Sequence, residues 1–148
     1  MVEKKKSSVC GNRDIETYLR SIENDKPKAC ADLHRLAVLV RNAFAKGDIY
    51  VDTALYKKYL IIGNAMFTKL MPWQKFLTAL LLCTFRKKDG RPRWKNALIL
   101  IGRGAGKDGT IAWWSLCLTS KNNPIKKYDV DICANNEDQA MRDRKSVV

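Results

Sequence analysis

Residues 97–109 have the sequence ALILIGRGAGKDG, which is the sharpest local signal of fold and function in the chain. The run 97–101 is continuously apolar, which predicts a buried strand of a parallel sheet. The glycines of 102–106 predict a turn whose backbone N–H groups can point at phosphate oxygens. Lys107 then opens a predicted helix that reaches about Thr119, and a lysine at this place can contact the β- and γ-phosphates. The order strand, glycine turn, lysine and helix is that of a phosphate-binding loop.

Two positions depart from the general pattern G-x-x-x-x-G-K-[ST]. Ile101 takes the place of the first glycine, and Asp108 replaces the hydroxyl that usually holds Mg²⁺. A carboxylate is a hard oxygen ligand, so Asp108 is a candidate metal ligand, although its charge weakens phosphate binding. Thr110 is no simple substitute, because two residues along a helix turn it about 200° away. A glycine-rich turn between strand and helix, with a surface lysine, is the alternative interpretation.

The flanking segments predict an α/β fold. Residues 129–134 read as a second strand and 136–139 as a helix start, which completes one βαβ unit with a right-handed crossover. Residues 13–85 predict a layer of about four helices from apolar stripes at helical spacing. The predicted fold class is α/β, an N-terminal helical layer followed by the first βαβ unit of an incomplete P-loop NTPase sheet. The predicted regions are a flexible basic tail at 1–12, the helices at 13–85 and the start of a phosphate-loop domain at 86–148, which the resemblance described below implies is a truncated ATPase domain.

Specific residues mark the predicted helix boundaries. Pro27 and Pro72 suit the first turn of a helix, because proline has a fixed φ and needs no hydrogen-bond acceptor there. Asp52 can cap the third helix through its carboxylate, and Gly47 can end the second. Asn123, followed by a proline, ends the helix that starts at Lys107.

Composition narrows the function classes. The 148 residues are 46% hydrophobic and 29% charged, which indicates a globular chain rather than a disordered one. No apolar run approaches the roughly 18–20 residues of a membrane span, and no apolar stretch follows the basic N-terminus, so a cytoplasmic protein is expected. The five scattered cysteines and His34 do not form a zinc pattern.

The net charge of +13, from 28 Lys and Arg against 15 Asp and Glu, favours a polyanionic partner such as nucleic acid or a nucleotide. Six of the ten residues at 86–95 are basic, and Asp89-Gly90 within them predicts a turn. A nucleic-acid-binding module without ATPase activity is therefore an alternative function. A basic surface without a partner, a small phosphotransferase and a decayed reading frame are further alternatives.

Four features follow one another along the sequence: Pro72-Trp73-Gln74, a basic turn ending in Pro92-Arg93-Trp94, the loop at 102–107 in the form Gly-Arg-x-x-Gly-Lys, and VDICAN at 130–135 followed by Gln139-Ala140. In this order they resemble the large terminase subunit of tailed bacteriophages, over roughly residues 14–140. Terminases are motors that hydrolyse ATP to drive DNA into a procapsid, and they carry a nuclease that cuts the concatemer. The resemblance implies ATP and Mg²⁺ as cofactors. It also implies double-stranded DNA, the small terminase subunit, the portal protein and further copies in a ring as partners, in the cytoplasm of the bacterial host and without a membrane.

The resemblance also implies roles for matching residues. Trp73 and Gln74 would contact adenine, Lys107 would contact the β- and γ-oxygens, and Arg103 would stabilise charge on the transferring phosphoryl group. Asp108 departs from the family, since most relatives have Ser or Thr at this position. The phosphates would be cradled by Gly102, Gly104, Ala105, Gly106 and Lys107, with Asp108 beside them.

The chain has no apolar strand that ends in Asp-Glu, which a phosphate-loop ATPase uses for the metal and the attacking water. It also has no cluster of acidic residues for a nuclease metal site. The sequence therefore predicts a truncated terminase large subunit that contains the ATP-binding part of the motor and hydrolyses little or no ATP by itself.

Overall fold

The computed structural model describes residues 10–24, 29–102, 104–126, 128 and 130. These residues form a mixed α/β fold with five α-helices and a two-stranded antiparallel sheet. The elements in chain order are α1 (Arg13–Asn24), α2 (Ala31–Ala45), β1 (Ile49–Val51), α3 (Thr53–Met66), α4 (Pro72–Leu77), a π-helical turn (Thr78–Leu82), β2 (Thr84–Arg86) and α5 (Lys107–Thr119).

The chain divides into two compact units, and the division falls within α3. The first unit contains the described residues up to Tyr56 together with Met71–Ala97. The second contains Lys57–Leu70 and the described residues from Leu98 onward. None of the described helices is both long and apolar enough to cross a membrane.

Helix α1 confirms the predicted apolar stripe and begins one residue after a capping asparagine. Ile15, Leu19 and Ile22 are buried on one face. The Asn12 side-chain oxygen accepts hydrogen bonds from the backbone N–H groups of Asp14 and Ile15, at 2.9 and 3.1 Å. Asn12 is buried, as is the nearby Cys10, so these two positions of the predicted tail belong to the folded unit. Such caps stabilise a helix because its first N–H groups lack partners.

The predicted C-terminus of α2 and the predicted N-terminus of α3 are confirmed. Gly47 adopts a φ of +71° and donates its N–H to the carbonyl of Phe44, which ends α2. The Asp52 carboxylate accepts the N–H of Leu55 at 2.9 Å and so caps α3. Helix α2 begins at Ala31, and the predicted opening at Pro27 lies outside the described residues.

The sheet was not predicted, and its strand β1 lies within the region 13–85 that the sequence assigned to a layer of about four helices. Strand β1 pairs with β2 in antiparallel register, with Ile49 opposite Arg86 and Val51 opposite Thr84. Each strand has only three residues, too few to show an alternating pattern in the sequence. The predicted turn after β2 is confirmed, because Gly90 donates its N–H to the carbonyl of Arg86 at 2.9 Å.

A group of ion pairs joins α1 to α2 in the first unit. The Arg41 guanidinium lies 2.6 Å from a Glu16 carboxylate oxygen and 3.0 Å from one of Glu23. The hydrogen bond from Arg41 lowers the pKa of Glu16 below its ordinary value. Hydrogen bonds to Glu23 and Glu16 raise the pKa of Arg41. The contact between Arg41 and Glu16 therefore favours the charged form of each of these two side chains.

The second unit is held together by the indole of Trp113, which is fully buried. Its Nε1–H donates to the carbonyl of Tyr59 at 3.0 Å. The ring lies so close to Gly63 that a β-carbon there would stand 2.6 Å from the indole Cζ2 atom. Gly63 therefore lets α3 and α5 approach each other closely. The bounds of α5 agree with the predicted helix from Lys107 to Thr119.

The predicted βαβ unit is not confirmed. Residues 97–101 lie outside any helix or strand, and the side chains of Leu98 and Leu100 are 87% exposed. A parallel strand is buried only when it has hydrogen-bonded neighbours and covering helices, and no described residues provide them here. The second predicted strand at 129–134 and the helix start at 136–139 lie outside the described residues, apart from Val130.

We expect Gly63→Ala to destabilise the protein by up to about 2 kcal/mol. Alanine favours a helix by nearly 1 kcal/mol, but overpacking a rigid core costs about 1–3 kcal/mol, and the indole of Trp113 leaves no room. Urea unfolding measures the loss. Gly102→Ala is the control, because a β-carbon there meets nothing within 4 Å. Equal unfolding free energies for the two variants would contradict the packing role of Gly63.

We expect protonation of Glu16 to weaken the first unit in acid. Since folding lowers the pKa of Glu16, its stabilisation is present above the ordinary pKa of 4.5 and is lost as the pH falls below that value. The Glu16→Gln variant should show a shallower loss of unfolding free energy between about pH 5 and pH 3. Asp32→Asn is the control, because its ion pair with Arg35 is exposed and contributes little. An unchanged acid profile in Glu16→Gln would refute the expectation.

Candidate functional site

The predicted phosphate loop precedes α5 directly and contains two glycines in a left-handed conformation. Gly104 has a φ of +81° and Gly106 has a φ of +80°. L-residues rarely adopt these angles, so glycine is required for this backbone path. A β-carbon on Gly104 would meet no atom within 4 Å, which shows that the requirement comes from the backbone and not from crowding.

The start of α5 presents backbone N–H groups that no side chain caps. The first hydrogen bond of the helix runs from the N–H of Thr110 to the carbonyl of Gly106, at 3.1 Å. The N–H groups of Lys107, Asp108 and Gly109 therefore have no acceptor within the helix. The N-cap is Gly106, which has no side chain that could accept them. Such a helix end attracts anions, because the helix dipole and the N–H groups act together.

Lys107 and Asp108 form a loose ion pair at the surface. The Lys107 Nζ atom lies 3.4 Å from an Asp108 carboxylate oxygen, and the two side chains are 47% and 69% exposed. Exposed pairs contribute little to stability, so this contact does not hold the ammonium in place. The lysine can thus turn towards a phosphate, while the carboxylate opposes the approach of the same anion.

Thr110 was not expected to replace the hydroxyl that is missing at position 108, and its place in the structure agrees with that expectation. Its side chain is buried, and its hydroxyl donates to the carbonyl of Gly106 at 2.8 Å. The loop itself contains a further backbone hydrogen bond, from the N–H of Ala105 to the carbonyl of Gly102 at 3.4 Å. The structure thus describes Gly102, and it describes Gly104, Ala105 and Gly106 leading directly into Lys107 and Asp108 at the start of α5. Arg103 lies outside the described residues.

Trp73 and Gln74 belong to the first compact unit, whereas the loop belongs to the second. The side chain of Gln74 is only 2% exposed, and its carboxamide oxygen accepts the N–H of Met71 at 2.7 Å. Glutamine at the third position of a helix caps it in this manner, so the Pro-Trp-Gln sequence also has a local structural role. The adenine contact of Trp73 and Gln74 stays a prediction.

A metal ion at this loop would be held partly by the protein and partly by the phosphates of a bound nucleotide. In the described ranges no three His, Cys, Asp or Glu side chains gather into a metal-binding group. The carboxylate of Asp108 is the acidic group of the loop, and Mg²⁺ commonly combines one or two carboxylates with phosphate oxygens and water. The chemistry of this donor set fits a metal that arrives with a nucleotide.

Sequence reasoning identified α5 and its apolar character but missed the contact that holds it, from the indole N–H of Trp113 to the carbonyl of Tyr59. The expected strand before the loop is not formed, since residues 97–102 lie outside any helix or strand. Comparison with protein families, curated proteins and solved structures finds no match to this chain.

Proposed function

We propose that this chain binds the phosphates of ATP at residues 102–108 and is the ATP-binding part of a terminase-type DNA-packaging motor. The observation that carries the proposal is the pair of left-handed glycines before an uncapped helix that begins with an exposed lysine. This arrangement supplies backbone donors, a favourable helix dipole and a mobile positive charge to one anion. The order of motifs in the sequence supports the terminase assignment.

Each residue of the loop has a distinct task in the proposed complex. The N–H groups of Lys107, Asp108 and Gly109 would donate to phosphate oxygens, and the ammonium of Lys107 would neutralise the β- and γ-phosphates. Arg103 would stabilise charge on the γ-phosphate. Asp108 would meet Mg²⁺, at the cost of some repulsion of the phosphates.

Binding without appreciable turnover is the activity that we propose for these residues alone. Phosphate-loop ATPases also require an acidic group that orients the attacking water, and the chain has no apolar strand ending in Asp-Glu. In the intact motor the proposed partners are double-stranded DNA, the small terminase subunit, the portal protein and other copies in a ring.

The test is the affinity for a fluorescent ATP analogue with Mg²⁺, measured by titration. Lys107→Ala should weaken binding about tenfold or more, because it removes a charged contact worth at least about 1.4 kcal/mol. Gly104→Ala should also weaken binding, since its left-handed φ of +81° is strained in alanine and the loop must shift.

Gly90→Ala is the matched control for this experiment. Gly90 also has a positive φ, at +64°, and a β-carbon there would meet nothing within 4 Å. Gly90 lies in the turn after β2 and not in the loop at 102–108, so Gly90→Ala should leave the affinity for the ATP analogue unchanged. Equal affinities for the unmodified chain and Lys107→Ala would refute the site, and phosphate release clearly above that of Lys107→Ala would refute the proposed lack of turnover.

Nucleic-acid binding is a second candidate function, and one observation favours it. The side chains of Lys87, Lys88, Arg91 and Lys95 are all exposed, on or next to the turn that follows β2. Arg86, by contrast, is paired with Asp89 at 2.6 Å. Four exposed cations on one short segment suit the closely spaced phosphates of a nucleic acid backbone.

We expect duplex DNA to bind this turn with a steep dependence on salt. Four phosphate contacts predict a slope of roughly −3 to −4 in a plot of log affinity against log salt concentration. The double variant Lys87→Gln/Lys88→Gln should reduce this slope by about 2. Lys57→Gln/Lys58→Gln, which removes the same charge from the exposed surface of α3, should leave the slope unchanged. A slope that depends equally on both pairs would mean that net charge alone attracts the DNA.

A further inference from the structure

The first unit contains a groove of about 650 Å³ alongside α2. One side of the groove is the helix itself, and Arg93 and Trp94 contribute from the segment after β2. Two of the lining side chains, Val38 and Leu39, are aliphatic and yet 60% and 50% exposed. Adjacent exposed aliphatic residues in a groove are typical of surfaces that bind a partner.

The cations of the groove are arranged around this apolar part. Arg35 lies on α2, and Lys46 follows its last residue eleven positions later, which corresponds to about 16 Å along the helix axis. Val38 and Leu39 lie between them in the sequence of the helix. Arg93 adds a third charge, and its guanidinium carbon lies 4.6 Å from the centre of the Trp94 ring. None of the residues that line the groove carries a carboxylate.

The arrangement of charged and apolar residues in the groove favours a protein partner over a nucleic acid. A duplex carries one negative charge for about every 1.7 Å of its length, so a backbone along the groove would place phosphates against Val38 and Leu39. Removing those phosphates from water against aliphatic groups is unfavourable. A protein segment can instead place apolar side chains between two acidic ones and so match both parts of the groove.

We propose that the groove formed by α2 and residues 93–94 binds an acidic, amphipathic segment of a partner protein. A stretch of about 16 Å holds about eleven residues of a helix or about five of an extended chain. The apolar side chains of that segment would pack on Val38, Leu39 and Trp94. Its carboxylates would meet Lys46 and Arg93, and they would compete with Asp32 for Arg35, whose guanidinium lies 3.1 Å from that exposed carboxylate. This surface is separate from the loop at 102–108 in its residues and in the ligand that it binds.

The test uses a 12-residue peptide with leucine at positions 1, 4, 5 and 8 and glutamate elsewhere, added to the full chain labelled with ¹⁵N and ¹³C. Binding should shift the indole N–H signal of Trp94 and the methyl signals of Val38 and Leu39. Leu39→Glu should weaken the affinity about tenfold or more, since it places a charge among apolar contacts and repels the peptide. Lys46→Gln should weaken it by a smaller factor, because it removes one attraction without adding a repulsion.

Ile61→Glu is the matched control for Leu39→Glu, because Ile61 is an aliphatic side chain that is 70% exposed and does not line the groove. It should leave the affinity unchanged, and circular dichroism should show that both variants fold. The proposal is overturned if the peptide shifts none of these signals or binds Leu39→Glu as tightly as Ile61→Glu. It is also overturned if a peptide with lysine in place of glutamate, or a 12-nucleotide oligothymidylate, shifts the same signals at least as strongly.

Discussion

The packing of the Trp113 indole against α3 is the contact on which the second unit depends. The ring is fully buried, its N–H is satisfied by the carbonyl of Tyr59, and Gly63 provides the space beside it. A buried indole contributes a large apolar surface, and its one polar atom needs a partner. Because Trp113 lies six residues after Lys107, less than two turns of α5 separate the contact from the candidate loop. The same contact therefore fixes the helix end to which we assign the phosphates.

Local signals in the sequence predicted the helices better than they predicted the sheet. The stripe through Ile15 and Leu19 and the cap at Asp52 depend on residues within one or two turns, so they can be identified from spacing alone. Strands β1 and β2 are three residues long and lie more than thirty residues apart in sequence. Their pairing depends on tertiary contacts, which no local pattern contains.

The same distinction applies to the candidate site. The left-handed turn could be inferred from the glycines, because the residue type reports the required φ directly. The capping role of Gln74 and the groove along α2 could not be inferred. The amide of Gln74 was assigned from the sequence to a contact with adenine. In the structure its carboxamide oxygen accepts a hydrogen bond from the N–H of Met71. The stripe through Val40 and Phe44 described the buried face of α2, and nothing in that pattern identified Val38 and Leu39 on another face as part of a groove.

The exposure of Leu98 and Leu100 bears on the proposed binding of phosphates at the neighbouring loop. In a complete phosphate-binding domain a buried strand fixes one end of the loop and a helix fixes the other, so the N–H groups are oriented before the ligand arrives. Here the helix end is packed, whereas Leu98 and Leu100 stand in solvent on the other side. In the proposed complex, part of the binding free energy would be spent on fixing this end of the loop, which would lower the affinity for the phosphates. Any contact that buries residues 97–101 would spare this cost, so burial of that run and binding of the phosphates should reinforce each other.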